Sequence, residues 1–138
     1  MFAEVVQSRL RFAIYLGDMP HTWIGSEYAR AIFGMLMREE DARLVLLPGA
    51  PVSWTRETGI GVTALPTAFG KLTMTAREEG GALKVSLQPG LGARTKLRVM
   101  WPNRKTPQSV TIDGRRNARF DANGIDVDRP FKELIAQF

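Results

Sequence analysis

The sequence predicts an α+β fold that is mainly β: an N-terminal helical hairpin followed by an antiparallel β-sandwich of about seven strands. Apolar residues recur at the helical period over the first forty residues, and from Arg43 onward they recur in short alternating segments instead. The 13 glycines and 8 prolines among 138 residues suit a turn-rich β protein. We therefore expect a helical hairpin over residues 1–42 and a β-sandwich over residues 43–138.

The hairpin is predicted from two amphipathic stretches. The first contains Phe2, Val5, Val6, Leu10, Ala13, Ile14 and Leu16. Gly17 is expected to end this helix, and Pro20 prevents it from resuming. The second helix is expected from about Thr22 to Glu40, with Thr22 or Ser26 as its N-cap. Its apolar stripe consists of Ile24, Tyr28, Ala31, Ile32, Met35 and Leu36.

The sandwich is predicted from short apolar segments separated by turn residues at roughly ten-residue spacing. The expected strands contain Leu44–Leu47, Gly61–Leu65, Leu72–Ala76, Leu83–Leu87, Leu97–Trp101, Val110–Ile112 and Ile125–Val127. Gly80-Gly81 and Asp113-Gly114 are dipeptides typical of tight β-hairpin turns. We expect each of them to join two neighbouring strands.

Composition and charge exclude several classes of protein. The chain has no cysteine, so disulfides, thiolate nucleophiles and iron–sulfur clusters are excluded. The sequence contains no apolar run of roughly 20 residues and no signal-peptide pattern at its start, so we expect a soluble chain and leave its compartment open. The formal net charge is +5. Eight basic residues lie between Arg94 and Arg119, which indicates either a solvated sheet face or a polyanion-binding surface.

The richest candidate site lies at the start of the second helix. Trp23, Glu27 and Arg30 are spaced to share one helix face, and a carboxylate beside an aromatic ring is typical of sugar-binding sites. The simpler interpretation is a surface pair between Glu27 and Arg30. His21 is either an acid–base group or a loop histidine bonded to backbone, and with no second histidine and no cysteine we predict no metal site. Trp54 and Trp101 are either sugar platforms or core residues.

Several segments then resemble the end of a known family of enzymes. They are Pro20–Tyr28, Leu44–Pro51 with Trp54 after it, Leu65–Leu72, Val110–Gly114 and Arg129–Phe131. Together they resemble the last helical hairpin and the C-terminal β-sandwich of bacterial (α/α)6-barrel glycoside hydrolases, a multidomain group that includes glucoamylase-like and rhamnosidase-like enzymes. The resemblance implies that Glu27, four residues after Trp23, is the general base of the intact enzyme. From the clustering of aromatic and polar side chains in this segment we also expect Trp23, His21 and Arg30 to contribute to substrate binding.

The resemblance implies a structural or accessory C-terminal region of a carbohydrate-active enzyme, inactive alone because the second carboxyl group would come from the helical barrel. The expected partner is the barrel domain of the parent enzyme, or a second copy bound through the hairpin, with carbohydrate as a further ligand. No cofactor and no membrane contact are expected, and nucleic acid is disfavoured. Two alternatives stay open: a free-standing carbohydrate-binding module that uses Trp54 or Trp101, and a basic adaptor that binds polyanions.

Overall fold

A computed structural model describes residues 22–117 and 119–138. The predicted first helix and His21 lie outside these residues. The described chain has one long helix, one short helix and ten strands. In chain order the elements are α1 (Thr22–Leu36), β1 (Met37–Glu40), β2 (Arg43–Leu46), α2 (Val52–Arg56), β3 (Ile60–Thr67), β4 (Gly70–Glu79), β5 (Ala82–Leu87), β6 (Lys96–Met100), β7 (Ser109–Ile112), β8 (Arg115–Asn117), β9 (Gly124–Val127) and β10 (Glu133–Gln137). The fold is mainly β.

The strands form two sheets. The four-stranded sheet has the order β1-β2-β6-β9, and the six-stranded sheet has the order β3-β4-β5-β10-β7-β8. Neighbouring strands run antiparallel except β2 and β6, which pair in parallel with Leu44 opposite Leu97. The strands β1, β9, β3 and β8 are therefore the sheet edges.

One hydrophobic core is built from both sheets. Leu44 and Leu46 of β2 and Val99 of β6 belong to the same buried cluster as Leu72 of β4 and Val85 of β5. All five side chains are fully buried. Burial at alternate strand positions follows from the two-residue period of a strand, which sends one side chain in two towards the core. A shared core between two sheets is the arrangement that a β-sandwich requires.

Both predicted hairpin turns are confirmed. Gly80 and Gly81 join β4 to β5, and both have left-handed φ angles, of 58° and 78°. Asp113 and Gly114 join β7 to β8 in the same way, with φ angles of 48° and 77°. Two successive residues with positive φ produce the turn whose twist matches that of paired strands.

The second helix is shorter than predicted. It ends at Leu36, and Met37–Glu40 form β1, which pairs with β2 so that Met37 lies opposite Leu46. The expectation of helix up to Glu40 was therefore wrong. Acidic residues are unfavourable at a helix C-terminus, whereas a strand there gains a ladder of hydrogen bonds. The expected boundary after residue 42 falls in the turn between β1 and β2.

Three strands and one short helix were not predicted. The strands are β1, β8 and β10, so the described residues contain ten strands where about seven were expected. Strand β10 lies in the middle of the six-stranded sheet, between β5 and β7. Its sequence, ELIAQ, is rich in residues that favour helix, and its pairing with two distant strands overrides that preference. The short helix α2 follows Pro51 directly.

Candidate functional site

Helix α1 carries three of the predicted site residues, Trp23, Glu27 and Arg30. The Arg30 Nη1 atom lies 3.3 Å from Glu27 Oε1, and the two side chains are 79% and 42% exposed. The simpler interpretation, a surface pair one helical turn apart, is therefore present in the structure. The catalytic role of Glu27 and the substrate-binding roles of Trp23, Arg30 and His21 stay predictions.

The same helix exposes large apolar side chains. Trp23 is 67% exposed, Tyr28 59%, Phe33 43% and Met35 36%, and they are the large hydrophobic residues exposed in the described chain. Two members of the predicted apolar stripe, Tyr28 and Met35, are among them, and Leu36 is the buried residue of the helix. The strands of this chain therefore leave most of α1 uncovered.

The C-terminal end of α1 is fixed to the β part. The N–H of Leu47 donates to the carbonyl oxygen of Leu36 at 2.7 Å. The N–H of Gly49 donates to the carbonyl oxygen of Met35 at 3.0 Å. These bonds satisfy two carbonyl groups that a helix end would otherwise leave without partners. The helix is thus attached through its last turn, and its exposed face projects from a fixed point.

A depression of about 500 Å³ adjoins this attachment point. It is lined by residues 47–51, which follow β2, by residues 100–102 and 104 at the end of β6, and by Asn123. Leu47 and Arg104 in this lining have φ angles of 60° and 52°. Such angles are uncommon outside glycine, and strained backbone of this kind is often found at functional sites. The depression lies at the carboxyl ends of the parallel pair β2 and β6.

The two tryptophans of the β part differ in exposure. Trp101 is 2% exposed, donates its indole N–H to the carbonyl oxygen of Asp121 at 2.8 Å, and packs edge-on against Phe138 with ring centroids 6.0 Å apart. A sugar platform needs an exposed ring face, so the interpretation of Trp101 as a platform was wrong and the core interpretation is correct. Trp54 lies in α2 and is half-buried.

A network of ion pairs spans β1, β2, β6, β9 and the turn before β9 in the four-stranded sheet. Glu40 accepts from Arg38 at 2.8 Å and from Arg43 at 2.7 Å. Arg43 also donates to Asp126 at 2.9 Å. Sequence reasoning did not find this network, because Arg43 and Asp126 are 83 residues apart and only the sheet order brings them together.

The network continues through Arg98, which belongs to the basic stretch predicted from sequence. Arg98 lies 2.7 Å from Asp126 and 3.3 Å from Asp121. This arginine is therefore neutralised, and the charge of the basic stretch is not all available to a ligand.

The network and its adjoining turn change the ionisation of two carboxyl groups. Hydrogen bonds from Arg38 and Arg43 lower the pKa of Glu40. The pKa of Asp121 is lowered by the backbone N–H groups of Asn123 and Gly124, with a smaller effect from Arg98. The bond to Glu40 in turn raises the pKa of Arg43. Each shift favours the charged form, so these groups stabilise the fold as ions.

Three further findings complete the description of the chain. Within residues 22–117 and 119–138, no group of three or more His, Cys, Asp or Glu side chains is arranged to hold a metal ion. In the same part of the chain, no helix is long and apolar enough to span a lipid bilayer. Comparison with protein-family models, with curated proteins and with solved structures finds no match for this chain.

Proposed function

We propose that this chain is the C-terminal structural region of a carbohydrate-active enzyme that resembles (α/α)6-barrel glycoside hydrolases. Its β part is a β-sandwich, and α1 packs against the helical domain of the same enzyme. The observation that carries the proposal is the exposure of Tyr28, Phe33 and Met35 on one helix.

The physical argument is one of apolar surface. Burying a large apolar side chain stabilises a protein by about 1.5–3 kcal/mol, so a helix that leaves several of them in water gains from a partner. Tyr28 and Met35 are seven residues apart and therefore lie on the same side of α1. A packing helix covers such a stripe by interdigitating side chains between its turns. The fixed C-terminal end of α1 would present this stripe in a constant orientation.

The chain fits a structural role better than a catalytic one. Hydrolysis of a glycoside by inversion needs two carboxyl groups about 6.5–9.5 Å apart on either side of the bond. Glu27 is bound to Arg30 on an exposed helix face, so the second carboxyl group and the walls of a cleft would come from the helical domain. We therefore expect the isolated chain to show no glycosidase activity.

The alternative of a free-standing carbohydrate-binding module is less well supported, because Trp101, one of its two candidate sugar platforms, is buried. In the other alternative, a second copy of the chain covers the exposed face of α1. This alternative predicts that the isolated chain forms a dimer.

The deciding experiment uses the coding sequence directly upstream of the first codon. An in-frame region of paired helices is expected, and that region, expressed separately, should bind the chain in isothermal titration calorimetry. Tyr28→Ser with Met35→Ser should weaken this binding about tenfold or more, because both side chains would be buried in the contact. The control Ala29→Ser changes an exposed α1 position outside the apolar stripe and should bind like the wild type.

Three results would contradict the proposal. They are an upstream region that encodes no paired helices, binding that is insensitive to the double substitution, and a stable dimer of the isolated chain that the double substitution dissociates. The last would assign the exposed stripe of α1 to a second copy.

A further inference from the structure

A second surface depression, of about 740 Å³, lies between edge strands of the two sheets. Strand β8 is an edge of the six-stranded sheet and β9 an edge of the four-stranded sheet. Four arginines line it, and we call it the arginine cleft: Arg115, Arg116, Arg119 and Arg129. The first two belong to β8, Arg119 lies in the connection from β8 to β9, and Arg129 follows β9.

The arginine cleft has more positive charge than its carboxylates neutralise. Within the described residues none of its four guanidinium groups forms an ion pair, and all four arginines are exposed. The acids in the lining are Asp126 and Asp128. Asp126 is already held by Arg43 at 2.9 Å and Arg98 at 2.7 Å. Only Asp128 is left to offset four cations.

A smaller depression of about 300 Å³ adjoins the cleft and shares Arg115 and Arg129 with it. Its acid, Asp113, accepts the backbone N–H groups of Lys132 and Glu133 through one oxygen, at 2.8 and 2.9 Å. These bonds tie the β7–β8 turn to the start of β10, so the turn that leads into Arg115 is held in place. Arg115 of β8 and Arg129, which follows β9, are thus presented to one continuous surface.

We propose that the arginine cleft binds a small ligand that carries two or more phosphate, sulfate or carboxylate groups. The planar guanidinium group pairs with these anions through two parallel hydrogen bonds, which is why arginine is favoured where they are recognised. The volume of the cleft lies within the usual range for small-molecule sites. This inference concerns a different surface from α1 and does not rest on the proposed function.

A small ligand fits the lining better than a nucleic acid does. Proteins that bind single strands stack the bases on aromatic side chains, and the cleft contains no aromatic ring among its lining residues. The apolar contacts offered are Ile112 and Val127.

The test is a calorimetric titration of the full chain with tripolyphosphate at low salt. Arg115→Gln with Arg129→Gln should weaken binding about tenfold or more, because two charge-assisted contacts are lost. The control Arg77→Gln with Arg94→Gln removes the same charge from exposed arginines outside the cleft and should change the affinity less than about twofold. Circular dichroism verifies that each variant is folded.

Parallel titrations with citrate and with a sulfated disaccharide identify the anionic group, and the tightest of the three probes defines it. The proposal is overturned if both double variants weaken binding equally, since the attraction would then be that of net charge alone. It is also overturned if none of the three probes binds below millimolar concentration. A third contrary result is that a twelve-nucleotide single-stranded DNA binds more tightly than every small probe and loses affinity in the cleft variant.

Discussion

At the scale of single residues, the carboxyl groups of Glu40 and Asp121 show how this β part is held together at its surface. Glu40 joins β1 to β2 through Arg43, and Asp121 holds the turn before β9 while it contacts Arg98 of β6. Asp121 also presents its carbonyl oxygen to the indole N–H of buried Trp101. The outer ion pairs and the core are therefore connected at one residue.

The lowered pKa values of Glu40 and Asp121 predict how stability depends on pH. A carboxyl group whose pKa is lower in the folded than in the unfolded state binds its proton more readily after unfolding. Its stabilising effect is present above the ordinary values of 4.5 for Glu40 and 3.8 for Asp121, and is lost as pH falls through the lower folded values. The free energy of unfolding should therefore be level near pH 7 and decrease below about pH 4.5.

Urea denaturation at pH 7, 5 and 3 measures this dependence, with Asp121→Asn as the comparison. The variant should lose less stability than the wild type between pH 5 and pH 3, because one of the two carboxyl groups with a lowered pKa is absent. An identical loss in both proteins would show that Asp121 does not contribute to the acid sensitivity.

At the scale of elements, β10 is an inner strand of the six-stranded sheet that joins distant parts of the chain. It pairs with β5 on one side and with β7 on the other, and its residues Leu134 and Ala136 are fully buried. Because both of its edges are paired, β10 has no edge exposed to solvent. Loss of packing at this strand should therefore disturb both of its partners, β5 and β7.

Leu134→Ala tests the role of β10. The side chain is 0% exposed within the shared core, so the substitution should lower the free energy of unfolding by about 2–5 kcal/mol. The control Ile135→Ala changes the next residue, which is half-buried on the opposite face of the sheet, and should cost clearly less. Equal losses in chemical denaturation would mean that β10 is not the core strand described.

At the scale of the whole molecule, local chemistry was predictable and non-local pairing was not. The turns at Gly80-Gly81 and Asp113-Gly114 depend on the backbone freedom of two adjacent residues, which the sequence displays directly. The pair Glu27–Arg30 depends on helical spacing and was foreseen as one alternative. Strand β10 depends on partners at Ser86 and Thr111, far along the chain, and no local pattern indicates them.

The candidate sites follow the same division. The site on α1 was predicted from helical spacing, and Trp23, Glu27 and Arg30 do lie on one helix, while their roles stay predictions. The arginine cleft was only partly visible: the basic stretch included Arg115, Arg116 and Arg119 but not Arg129, which joins them because β9 returns beside β6. Arg98, in the middle of that stretch, is neutralised by two aspartates that follow it in sequence.

The central claim is that α1 needs a partner, and hydrogen–deuterium exchange of the isolated chain tests it most directly. A helix of 15 residues whose apolar face the described strands leave largely exposed is only marginally stable by itself. At low protein concentration, the amides of α1 should exchange far faster than those of β5 and β10, with protection confined to its attached last turn. Exchange of the whole helix as slow as that of the core strands would contradict the claim.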